Sequence, residues 1–429
     1  MTLSSSIRRF LGPVLLFSTL LVWGGCEDGA LNAPDIRDGA EQDTALFGSY
    51  VALGNSITAG FQSSGINRST QEASFAAILA DSMNTPFGIP ALAVPGCPPP
   101  LTRFFNDEGV PAPQRPPETS EETCALRESQ TPRQLNNVAV PGARVIDALS
   151  NTGPRSAPSP LTQFILGGRT QVEAALDANP TFATIWLGNN NVLGPALAGT
   201  TDDLTPFSRF ARDYTQVLGD ITSSPSFQGG VLVGVANVTF LPFFSPGPVY
   251  AALEQQGEFP PNFTVASSCA QSTNGLSARV PVSYGFTLIG RARANPNQTV
   301  TLDCGASGTP VLTLNDVESI VQTVRQYNGF IRDAAQRRGL AFFNPNEVLR
   351  ALYTNDDGDR DPTNDLIPKF PNRAPDAPPF GQFFSLDGVH PSATTHRVMA
   401  AQLIEVINNT YDTSLSPPEN VPEVPSSSQ

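Results

Sequence analysis

The sequence predicts an α/β domain: a mostly parallel, five-stranded sheet held between two layers of helices. Short, nearly continuous apolar runs recur along the chain, and helical patterns lie between and after them. Strands buried on both faces of a sheet read as such runs. Their alternation with helices implies helices packed on both sides of the sheet. The runs are Tyr50–Leu53, Val138–Val140, Phe182–Leu187, Val231–Val238 and Leu340–Phe343. The clearest helix, Asp316–Arg338, aligns Val317, Ile320, Val321, Val324, Ile331 and Ala335 on one stripe. Arg337 and Arg338 fall near the negative end of its dipole, and Gly339 stops it. A second helix is expected over Ala393–Asn408, with Ser392 as N-cap and Met399, Leu403 and Ile407 facing inward.

Two proline-rich stretches, about 85–133 and 241–310, break this rhythm. Neither has the apolar periodicity to build a core of its own, so both read as insertions in a single domain spanning 47–410. Residues 1–25 read as a signal peptide: Arg8 and Arg9 precede an apolar run, Phe10–Trp23, too short to span a bilayer comfortably. Gly24-Gly25-Cys26 resembles a bacterial lipoprotein cleavage box, in which the cysteine is lipidated; Trp23 departs from the leucine usual there. Residues 26–46 would then be a flexible tether on a membrane-anchored, exported chain. The Pro/Ser-rich tail, 411–429, is expected to be disordered.

With a formal charge of −14, the protein lacks the basic surface that nucleic-acid binding needs. Apart from Cys26, the cysteines form two local pairs, and sequential disulfides, Cys97 with Cys124 and Cys269 with Cys304, would each staple one insertion to itself. No CxxC spacing points to zinc or redox chemistry. The acidic run Asn355–Asp361 is rich in oxygen ligands but does not fit an EF-hand loop, and a solvated turn is the expectation. No metal or cofactor is implied.

The candidate chemistry sits at the two ends of the domain. The first strand delivers Gly54-Asn55-Ser56, and open α/β sheets place their sites at strand carboxyl ends. Near the other end, Asp387-Gly388-Val389-His390 sets a carboxylate three residues before an imidazole. On one turn, Asp387 could accept the Nδ1 proton of His390, fixing its tautomer and stabilising its cation. His396 is the chain's other histidine and the competing base; a helical histidine is more often packed than catalytic.

Gly54-Asn55-Ser56, Asn137 to Gly142, Gly188-Asn189-Asn190-Asn191 and Asp387 to His390 resemble, in order, the four blocks of the SGNH (GDSL-type) hydrolases. The resemblance covers about 50–408 and implies a flavodoxin-like, three-layer α/β/α fold. It also implies Ser56 as nucleophile, His390 as base and Asp387 as its partner. The oxyanion hole would be formed by the N–H groups of Ser56 and Gly142 and the amide of Asn190. The aspartates of two family blocks are asparagine here, at Asn55 and Asn191. The implied reaction is cofactor-free cleavage of a carboxylic ester, of lipid acyl or small-ester type. Carbohydrate O-acetyl esterase, acyltransferase and silent surface binder are the alternatives. The run Thr239–Phe244 could line an acyl pocket, though packing under the second insertion is its expected role.

Overall fold

The computed structural model describes residues 45–116, 134–355, 361–374 and 377–425. Its sheet is parallel throughout, with strands β1 (Tyr50–Gly54), β2 (Phe182–Trp186), β3 (Gly229–Val233) and β4 (Ala341–Phe343) side by side in that order. The fifth predicted strand lies on the outer side of β1 but shrinks to one parallel bridge, Ala52 with Asn137. Ala52 still makes both parallel-strand hydrogen bonds there, its N–H to Asn136 O at 2.8 Å and its O accepting from Val138 N at 3.0 Å. The ladder stops because side chains replace it. Asn136 Nδ2 donates to Tyr50 O at 2.9 Å, and Asn137 Oδ1 accepts from Ala139 N at 3.2 Å.

Alternation along β1 sorts the core into two layers. Tyr50 and Ala52 face one side, where helices α2 (Phe75–Ser82) and α10 (Ala393–Tyr411) bring Phe75, Leu79, Met399, Leu403 and Ile407. Val51 and Leu53 face the other. There α4 (Gln171–Asp177), α6 (Phe207–Thr222) and α9 (Leu314–Gln336) pack, with Phe210 stacked on Tyr327 at 3.7 Å between ring centres. The expected helix starts on Thr313 rather than at Asp316; Thr313 and Asp316 form a reciprocal capping box. Ser392 caps α10 as expected, accepting from Thr395 N. The other helices used below are α1 (Ser56–Ala59), α3 (Leu161–Leu166), α5 (Asn190–Leu197), α7 (Gly247–Gln255) and α8 (Val282–Ala294).

The second insertion is more ordered than its proline content suggests. It carries α7, α8 and three small strand pairs, and Tyr250, Phe286 and Ile289 join the main core. Cys269 and Cys304 are bonded, as expected. Cys97 is also in a disulfide, while Cys124, Cys26, the leader and residues 356–360 of the acidic run lie outside the described residues. The tail corrects the expectation of disorder as far as residue 425. Asn408 grips it through Leu415, accepting from Leu415 N and donating to Leu415 O, each at 2.9 Å, and Leu415 is buried in the core. Among the described residues no helix is long and apolar enough to cross a membrane.

Tyr411 makes up for the shortness of β4. Its hydroxyl accepts from Gly230 N and donates to Gly230 O, each at 2.8 Å, one residue before β4 begins its pairing at Val231. Tyr411→Phe leaves both groups of Gly230 unpaired. It should destabilise the protein by about 1–3 kcal/mol, measured as a lower urea midpoint at unchanged slope.

Candidate active site

The site begins where β1 ends. Gln171 pins Gly54 from both sides, with Oε1 accepting from Gly54 N and Nε2 donating to Gly54 O, both at 2.9 Å. A Cβ on Gly54 would lie 2.1 Å from Thr58 Oγ1, so only glycine fits this approach. Asn55, fully buried, caps α1: Oδ1 accepts from Ile57 N at 3.1 Å and Nδ2 donates to Trp186 O at 3.2 Å. Ser56 is therefore fixed at the first turn of a four-residue helix, where N–H groups have no intrahelical acceptor.

After α1 the chain turns through Ser63 and Ser64, both at positive φ (51° and 54°). This pair reaches the far end of the domain. Ser63 N donates to Ser385 Oγ at 2.8 Å, and Ser64 N donates to Asp387 Oδ2 at 2.6 Å. Asp387 Oδ2 also meets His390 Nδ1 at 2.8 Å, and Oδ1 accepts from the N–H groups of Val389 (2.9 Å) and His390 (2.8 Å). Burial alone would raise the Asp387 carboxyl. The neighbouring His390 charge and the hydrogen bonds outweigh it and hold the group well below the usual carboxylate range. The Phe61 ring packs 4.9 Å from the His390 ring.

The remaining donors come from the loops after the outer segment and β2. Gly142, at φ +83°, donates its N–H to no protein acceptor among the described residues. Asn190 opens α5 and sends one N–H of Nδ2 to Ala143 O at 3.0 Å, which orients the amide. Its neighbours face away. Asn189 Oδ1 accepts from Ala236 N at 3.0 Å, while Asn191 accepts from Val145 N at 3.2 Å and donates to Thr205 Oγ1 at 3.0 Å. Gly188 must be glycine, because at φ +118° a Cβ would sit 2.6 Å from Val235 Cγ2.

Ser56, Gly142, Asn190, Asp387 and His390 all line one cavity of about 820 Å³. Ser56 Oγ and His390 share it without a direct hydrogen bond, a contact that commonly tightens only when substrate is bound. Phe243 is the one member of the 239–244 run on the cavity wall; Phe240 stacks on Tyr353 and Phe244 is buried. Gln171, the Ser63–Ser64 turn and Arg115, which also lines the cavity, carry no local pattern that marks them in the sequence. Among the described residues no group of acidic, His and Cys side chains could hold a metal ion.

The fold and this set of strand-end residues define a hydrolase of the SGNH type. The chain matches the GDSL-like lipase/acylhydrolase family over residues 50–403 and belongs to it. No curated protein matches it in sequence. Solved structures similar to it include an extracellular lipase from Streptomyces rimosus, 12% identical with a TM-score of 0.37, covering 84% of this chain and 98% of that one. An acetylxylan esterase from Geobacillus stearothermophilus is 10% identical with a TM-score of 0.35, covering 86% of this chain and 96% of that one.

His396 is not at the cavity. It is fully buried, accepts from Phe75 N at 3.1 Å through Nδ1 and stacks on Phe75. Desolvation, with a smaller repulsion from His390, pushes its pKa down to about 3. A depressed histidine favours folding in its neutral form. Its stability is present above the ordinary value of 6.5 and is lost as pH falls from there toward about 3. His396→Gln, which keeps an acceptor, should flatten the loss of stability between pH 6 and 4 by up to about 1.4 kcal/mol per unit. Urea unfolding across that range checks it; an unchanged pH slope would contradict the buried neutral form.

Proposed function

We propose that the protein is a serine esterase that hydrolyses carboxylic esters of apolar acyl chains through an acyl-Ser56 intermediate. One observation carries this reading: residues from both ends of the domain converge on a single cavity, with the Asp387–His390 pair closed at 2.8 Å. Asp387 engages Nδ1 and so leaves Nε2 of His390 as the base. Ser56 Oγ attacks the ester carbonyl and gives its proton to Nε2. The resulting oxyanion is met by the N–H groups of Ser56 and Gly142 and by the second amide hydrogen of Asn190. Collapse breaks the bond to the alcohol, which leaves with the proton from His390. Water then repeats the sequence and releases the acid.

The wall chemistry favours a lipid-like acyl chain over an acetylated glycan. Leu193 and Leu197 follow Asn190 at helical spacing on α5, and Leu161 and Phe164 project from α3. An apolar wall beside the oxyanion donors suits hydrocarbon, whereas a sugar needs polar partners for its hydroxyls. The Cys269–Cys304 disulfide supports export to an oxidising compartment. Anchoring through a lipidated Cys26 follows from the leader sequence and belongs to the same proposal.

Purified protein should hydrolyse p-nitrophenyl esters and prefer medium acyl chains to acetate. Ser56→Ala should remove turnover, and Asn190→Ala should lower kcat by about 10²- to 10³-fold. Wild-type turnover in Ser56→Ala would end the acyl-enzyme mechanism.

A further inference from the structure

The cavity is chemically two-sided. The oxyanion side is apolar, built by α3 and α5. The Asp387–His390 side is walled by Ser64 and by Pro98, Pro99 and Arg115 from the first insertion. Contacts tie these together: Ser64 N holds Asp387 while Ser64 O accepts from Arg115 Nη2 at 3.1 Å, and Arg115 Nη1 donates to Pro99 O. Arg115 is the only Lys or Arg among the described residues lining the cavity, and it forms no ion pair among the described residues. Two backbone carbonyls hold the guanidinium in place and leave several of its five N–H donors for a ligand. The other charge in the cavity, Asp387, is already engaged by His390.

Position decides which part of a substrate Arg115 meets. In the reaction proposed above, His390 returns its proton to the departing alcohol, so that alcohol lies on the His390 side. We propose that Arg115 is a specificity-determining residue that recognises a phosphate group on the leaving alcohol of the ester. The preferred substrates would be acylated polyol phosphates, either soluble or as lipid headgroups. This rests on the esterase reading. A planar, half-buried guanidinium matches phosphate oxygens in paired hydrogen bonds. The protein carries a net charge of −14, so attraction of an anion has to come from a local cation such as this one.

The test compares monobutyryl glycerol 3-phosphate with monobutyryl glycerol, using wild type, Arg115→Gln and Arg115→Lys. The readout is the ratio of kcat/KM for the two esters, which cancels any general loss of activity. Wild type should favour the phosphate ester by about tenfold or more. The ratio should fall toward one in Arg115→Gln, and Arg115→Lys should restore part of it. High salt should erode the wild-type preference. Vesicles of phosphatidylglycerol form a second arm: Arg115-dependent hydrolysis there as well identifies the lipid headgroup, while preference for the soluble ester alone identifies the free phosphate. A wild-type ratio near one, or a ratio unchanged by Arg115→Gln, overturns the proposal and leaves the esterase reading standing. Failure to cleave p-nitrophenyl butyrate would instead count against the esterase reading. In that case calorimetry of glycerol 3-phosphate on Ser56→Ala, with and without Arg115→Gln, still decides whether Arg115 binds the anion.

Discussion

The carboxylate of Asp387 joins the two ends of the domain. It accepts from Ser64, which follows the first strand, and from Val389 and His390, which precede the last helix. A buried carboxylate is tolerated only when such donors replace its lost water. Each donor also fixes geometry: the N–H groups of Val389 and His390 wind the loop into the turn that sets the imidazole opposite the carboxylate. Ser64 and its neighbour Ser63, which bonds Ser385 and Leu386, together bind that pair to the segment that follows the strand carrying Ser56. The placement of Ser56 relative to His390 thus depends on hydrogen bonds supplied by a turn at positive φ.

The asparagines at positions 55 and 191, where the family blocks have aspartate, make physical sense at their buried sites. At Asn55 the amide accepts from the helix N-terminus and donates to the Trp186 carbonyl, which an ionised carboxylate cannot do. At Asn191 the same two-way bonding joins Val145 N–H to the Thr205 hydroxyl. Neither side chain meets the Asp387–His390 pair through a hydrogen bond. Both asparagines hold their loops in place without a buried negative charge.

What could be read from the sequence was whatever depends on local pattern. Apolar runs marked the strands, Ser392 marked a helix start, and the spacing of Asp387 and His390 marked a turn. Features missed were those in which distant side chains act on backbone. Gln171 belongs to an unremarkable helix, and its role appears only when β1 lies beside it. The segment before Pro141 is apolar enough for a strand, yet Asn136 and Asn137 take over the hydrogen bonds a ladder would use. The tail looks disordered by composition, but a single residue, Asn408, supplies the partners that hold Leu415. Arg115 lies in the proline-rich first insertion and gains meaning only from what it faces.

The two sides of the cavity differ in construction as well as in charge. The proposed oxyanion donors sit on a strand end, a helix start and a glycine turn, each tied to the sheet. Preorganised donors stabilise a transition state because they need not move when charge develops. The Asp387–His390 side is built from loops stitched by side-chain and backbone hydrogen bonds, with the first insertion as its outer wall. In the proposed reaction, an imidazole that takes a proton from Ser56 and then delivers it to a leaving alcohol has to serve two positions. A loop-borne base held at Nδ1 can make that small adjustment. Loops also tolerate sequence change better than a sheet does, so under the proposed mechanism this side could vary the alcohol without disturbing the oxyanion donors.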